Sequence, residues 1–133
     1  MNDECVKSVI SFTNKLVLVI YNFPGVDNLF TEDNGLTLDF KKYIRLLKVV
    51  EVELDNAESI AKDPNWQNVE IRDLFRKEIS SFRKYYTGLI SVLMGGDFDF
   101  FIEDVKIGMQ GLLDTVGPLQ QILIADGYGY DEL

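Results

Sequence analysis

Carboxylates are the only enzymatic material this chain offers. No histidine occurs among its 133 residues, which removes the base of Ser-His-Asp and Cys-His arrangements and the ligand of Glu-x-x-His metal bundles. No Gly-x4-Gly-Lys phosphate loop and no Gly-x-Gly-x-x-Gly turn is present either. What remains is two pairs of acids with a spacing of three, Asp55-x-x-Glu58 and Glu70-x-x-Asp73. On facing helices such pairs would gather oxygen ligands around one volume, the coordination that hard divalent cations such as Mg²⁺ take.

In type and spacing these pairs resemble the Glu-x-x-Glu and Glu-x-x-Asp pairs of the MazG-like nucleotide pyrophosphohydrolases, helical enzymes that hold Mg²⁺ between two helices. The resemblance covers four residues, and Asp55 stands where the family has glutamate. It implies an alternative reading of the chain as a Mg²⁺-dependent nucleotide hydrolase with Asp55, Glu58, Glu70 and Asp73 as metal ligands. Against it, Glu70 and Asp73 fall on the polar side of their helix. The plainer reading makes all four solvated carboxylates in weak i,i+4 pairs, such as Glu58 with Lys62 and Asp73 with Lys77. A second acidic group, Asp97, Asp99, Glu103 and Asp104, lacks the spaced loop of a Ca²⁺-binding EF-hand and sits where the first turn of a helix favours acids. Cys5, with no histidine to activate it, reads as a small buried hydrophobe. No catalytic or cofactor-binding residue is therefore assigned.

These residues ride on strongly periodic segments. Residues 3–22 predict a first helix, capped by Asn2 or Asp3, with Val6, Val9, Ile10, Thr13, Leu16, Val17 and Ile20 as its stripe. Phe23-Pro24-Gly25 stops it, and a long connection over 24–36 follows, pinned by Leu29 and Phe30. A second helix from Leu38 to Lys62, capped by Thr37, carries Phe40, Tyr43, Leu47, Val50, Leu54, Ala57 and Ala61 at alternating spacings of three and four, the seam of bundle packing. After the break Asp63-Pro64-Asn65 the most regular run of the chain continues to Met94, closed by Gly95-Gly96. The fourth helix starts at Asp97 or Asp99, and Gly117-Pro118 is expected to kink or split it, because proline lacks the donor for the Asp114 carbonyl and its ring crowds that group. Short connections make neighbours antiparallel. The prediction is an all-α antiparallel four-helix bundle, one domain over 1–125, with a flexible acidic tail over 126–133.

The net charge of −9 disfavours nucleic acid and anionic membrane as partners. No apolar run approaches the ~20 residues of a membrane span, no signal peptide is evident, and a single cysteine suits a reducing, cytoplasmic setting. Glu78 falls inside the apolar arc of the third helix. It needs a partner such as Tyr43 or the mouth of a pocket; the plainer reading is a stripe-edge residue reaching water. Arg72, Arg76 and Arg83 form a basic seam that could hold an acidic partner, though neutralising the chain's own carboxylates is the closer reading. Finally, Leu46, Val49 and Ile60 on the second helix, and Phe100 and Ile107 on the fourth, stand off the core stripes. Either a further segment of the chain covers them or a protein partner or second copy does. The expected function is a non-enzymatic helical interaction module, a small regulator, inhibitor, immunity or adaptor-type protein.

Overall fold

The computed structural model describes residues 3–23 and 38–127. The expectations for the 24–36 connection with Leu29 and Phe30, for Asn2 and Thr37 as caps, and for the tail from residue 128 lie outside the described residues. Four helices make up the fold: α1 (Asp3–Tyr21), α2 (Leu38–Ala61), α3 (Val69–Leu93) and α4 (Phe98–Ala125). Each packs on the helices before and after it in the chain, and α4 closes the ring on α1. Contacts fix the directions. Tyr43 meets Val19 while Glu53 meets Lys15; Tyr86 meets Glu51 while Arg76 meets Ala61; Gly88 lies against Asp104 while Gly111 lies against Ser81. In each pair the numbers rise on one helix as they fall on the other, so chain neighbours run antiparallel.

The apolar stripes converge inside this ring. Phe12 sits at the centre, edge-on to Phe75 at 5.9 Å and to Phe82 at 6.4 Å between ring centroids, a geometry that suits the aromatic quadrupole. Tyr85, Phe40, Leu16, Leu47, Leu112, Leu119 and Leu123 belong to the same core, all fully buried. The β-branched end of α1, Leu16–Ile20, stays helical because Leu16 and Val19 bury their side chains in this core, and packing outweighs local propensity.

The α3–α4 pair is the most intimate of the four. A Cβ on Gly108 would lie 2.5 Å from the Tyr85 amide nitrogen, and one on Gly111 would lie 2.2 Å from the Ser81 hydroxyl oxygen. Glycine at 108 lets the two backbones touch, and glycine at 111 leaves room for the Ser81 side chain. The turn between these helices is equally determined. Gly95 has φ +89°, a left-handed conformation that glycine adopts without penalty. The Gly96 amide then donates to the Ser91 carbonyl and the Gly95 amide to Val92, the paired bonds of a Schellman cap.

One boundary differs from expectation, and of the kink or split expected in α4 the split does not occur. α3 begins at Val69, several residues after Asp63-Pro64-Asn65, because Asn68 takes the N-cap: its side chain accepts from the Ile71 amide at 3.1 Å. Asn68→Ala should cost about 1 kcal/mol, measurable as a lowered urea midpoint. At Gly117-Pro118, α4 is not divided; one helix of 28 residues contains Pro118. Asp114, Gly117 and Pro118 are all exposed, so water can take the carbonyl that proline leaves unbonded, while Leu119 and Leu123 remain anchored in the core on either side of one further turn.

Candidate functional site

The antiparallel register decides where the carboxylates go. Glu58 faces Arg83 and forms an ion pair with it, and Ala61, one turn on, faces Arg76. Asp55 and Glu58 therefore lie opposite the middle of α3, whereas Glu70 and Asp73 occupy its first turns, where Asp73 pairs with Arg72 at 3.0 Å. The structure does not bring the two acid pairs together. Among the described residues no group of three or more Cys, Asp or Glu side chains is placed to hold a metal ion. The expected helical pairs of Glu58 with Lys62 and Asp73 with Lys77 do not form either, since each acid is taken by an arginine. In the second acidic group, Asp97 caps α4 by accepting from the Phe100 amide at 3.3 Å, and Asp104 lies 3.7 Å from the Lys84 ammonium. Cys5 is half-buried at the start of α1.

The basic seam is used from within. Arg83 pairs with Glu58, Arg72 with Asp73, and Arg76 donates from Nε to the Ala61 carbonyl at 2.8 Å, supplying a donor to the C-terminal end of α2 that the helix cannot supply itself. Trp66 serves the same end, its indole N–H donating to the Ile60 carbonyl at 3.1 Å. Around Arg76 and Arg83 the surface sinks into a cleft of about 470 Å³ lined also by Glu58, Ala61, Lys62, Ile79 and Ser80.

Glu78 is buried and hydrogen-bonded, as a carboxyl inside the apolar arc requires, but its partner is not the one expected. It neither reaches water nor meets Tyr43: it is fully buried, and its partner is Thr13 of α1, whose hydroxyl donates at 3.2 Å to Oε1 and 3.1 Å to Oε2. Burial, opposed by that bond, pushes the carboxyl up to about 8, so the acid is mostly neutral at pH 7. The bond links α1 to α3 across the middle of the ring. Tyr43 is engaged elsewhere, donating to the Val19 carbonyl at 2.9 Å and sharing a 2.7 Å hydroxyl contact with Tyr85. Burial pushes both phenols far up, and the Phe23 ring lies against both.

Of the residues expected at a contact surface, Val49, Phe100 and Ile107 are exposed, whereas Leu46 and Ile60 pack partly against the core. Because α2 and α4 stand at opposite corners of the ring, these residues form two surfaces and not one. Val52, 82% exposed, joins Val49 on α2. Met94, 83% exposed, and Phe98 join Phe100 at the tip of the α3–α4 hairpin, where the Phe100 ring stands edge-on to Phe101 at 4.9 Å. The tip is readable in part from the sequence, since Phe100 lies off the stripe of α4; Met94 reads there only as a helix end, and Phe98 falls on the core spacing. Among the described residues no helix is long and apolar enough to cross a membrane. The chain matches no protein family, no curated protein and no solved structure, so this geometry alone carries its functional reading.

Proposed function

We propose that the protein is a non-enzymatic helical interaction module whose main contact surface is the α3–α4 hairpin tip. The observation that carries this reading is the exposure of Met94, Phe98 and Phe100 within seven residues, with Phe100 71% exposed and Ile107 two turns along the same face of α4. Exposed apolar groups gathered in this way signal a partner where single ones do not. The rim gives that partner its chemistry. Between Lys84 and Lys106 the chain has no basic residue, and Asp97, Asp99 and Glu103 surround the tip, so the matching surface is apolar with basic side chains at its edge. A second copy of this chain docking tip to tip would set the same carboxylates against each other, since a two-fold interface pairs a patch with itself. The α2 face of Val49 and Val52 is then the surface left for self-association. A regulator, inhibitor, immunity or adaptor-type role in the cytoplasm fits this design.

Phe100→Asp tests the reading. The side chain is exposed, so the variant should melt within a few degrees of the parent, while retention of the native partner by an immobilised chain falls at least tenfold. Loss of folding would show that the tip belongs to the core, and unchanged retention would show that it is not the contact surface. The hydrolase alternative is not favoured, because its four acids lie apart.

A further inference from the structure

We infer that the α2–α3 cleft is a binding site for a small organic dianion, of the class of an aryl phosphate monoester. Three cationic side chains, Lys62, Arg76 and Arg83, line it against a single carboxylate, Glu58, a local excess of positive charge in a chain of net charge −9. The C-terminal end of α2 does not account for that excess. Three of its last four carbonyls already have donors: Glu58 from the Lys62 amide, Ile60 from the Asp63 amide and Trp66, and Ala61 from Arg76. The last of these bonds uses only Nε of Arg76 and thereby fixes a planar guanidinium whose terminal nitrogens remain as donors, the fork geometry suited to phosphate oxygens. Lys62 has no ion pair among the described residues. Arg83, two turns along α3 from Arg76 and paired with Glu58, adds the second guanidinium. Ser80 adds a hydroxyl, while Ala61 and Ile79 supply an apolar floor. A volume of about 470 Å³ is that of a small-molecule site. Two surplus charges call for a dianion; the floor calls for a ring or short carbon body on it. The site lies toward the end of the bundle away from the hairpin tip, so it stands or falls independently of the interaction reading.

The test is a titration of the full chain with phenyl phosphate, followed by ¹H–¹⁵N correlation spectra, beside parallel titrations with inorganic phosphate and the monoanion benzenesulfonate. Phenyl phosphate should move the amides of residues 60–62 and 76–83 in a saturable way and bind more tightly than either comparison ligand. Lys62→Gln, at an exposed side chain, should weaken that binding about fivefold, the scale of one partly screened charge pair. Glu58→Gln should act in the opposite sense and tighten it by a similar factor, because it removes the competing carboxylate. Shifts scattered over the surface lysines, equal affinity for all three anions, or indifference to both substitutions would overturn the proposal.

Discussion

Gly108→Ala is expected to destabilise the protein by about 3 kcal/mol or more, the upper range for forcing added volume into a packed interior. The new methyl would lie 2.5 Å from the Tyr85 amide nitrogen, 2.6 Å from its Cβ and 2.7 Å from its Cα. Two of these are backbone atoms and cannot rotate away, so α4 must move off α3 and release Tyr85, Leu112 and their neighbours from the core. Gly111→Ala makes a closer approach, 2.2 Å, but to the hydroxyl of Ser81, with the Ser81 Cα at 3.9 Å. A side chain can be removed where a backbone cannot. Pairing Gly111→Ala with Ser81→Gly should therefore recover most of the loss, whereas no substitution at Tyr85 should rescue Gly108→Ala. Urea denaturation of the four variants checks this; equal losses at the two glycines, or rescue of Gly108→Ala by Tyr85→Phe, would contradict the backbone contact.

The second large effect depends on pH. Glu78 is raised from 4.5 to about 8 by burial. Between those values the folded chain keeps a proton on this carboxyl that the unfolded chain releases, so stability must fall as pH rises across the interval. The contribution is fully present below pH 4.5 and lost by the time pH passes 8. Each pH unit between the unfolded and folded values is worth about 1.4 kcal/mol, so the whole interval amounts to roughly 4–5 kcal/mol, a large share of the ~5–15 kcal/mol that stabilises a domain. Glu78→Gln keeps shape and polarity without a titrating proton. Its stability should match the parent near pH 4 and exceed it at pH 8.5 by about that amount. A variant that tracks the parent across the range would mean that another group governs the alkaline loss.

Periodicity makes the helices legible, because a stripe at spacings of three and four is what four packed helices require. Phe40, Tyr43, Leu47, Val50, Leu54, Ala57 and Ala61 are all buried as the pattern demands. Spacing along one helix says nothing, however, of what stands opposite. Glu58 and Glu70 each sit on the helix assigned to them, but the register that sends Glu58 to Arg83 arises between helices. Glu78 shows the same gap, its position in the apolar arc being plain while Thr13 lies 65 residues away. The seam of Gly108 and Gly111 has a signal, two glycines three apart on one face of a helix, that a reading by hydrophobic stripes passes over, since glycine counts there only as a weak helix former. Phe98 escapes the pattern for a different reason: a stripe defined by spacing does not end where the neighbouring helix ends.

The bond between Thr13 and Glu78 also governs which arrangements of these helices are allowed. Apolar stripes are tolerant, and Leu16 shifted by a turn would still meet hydrocarbon. An acid in the middle of that hydrocarbon is less forgiving. Sliding α1 by one turn, about 5.4 Å, would carry the Thr13 hydroxyl out of reach and leave the carboxyl unbonded, at a cost of about 1–3 kcal/mol. This polar bridge across the ring thus acts as a register pin, penalising the slipped bundles that greasy surfaces alone would accept.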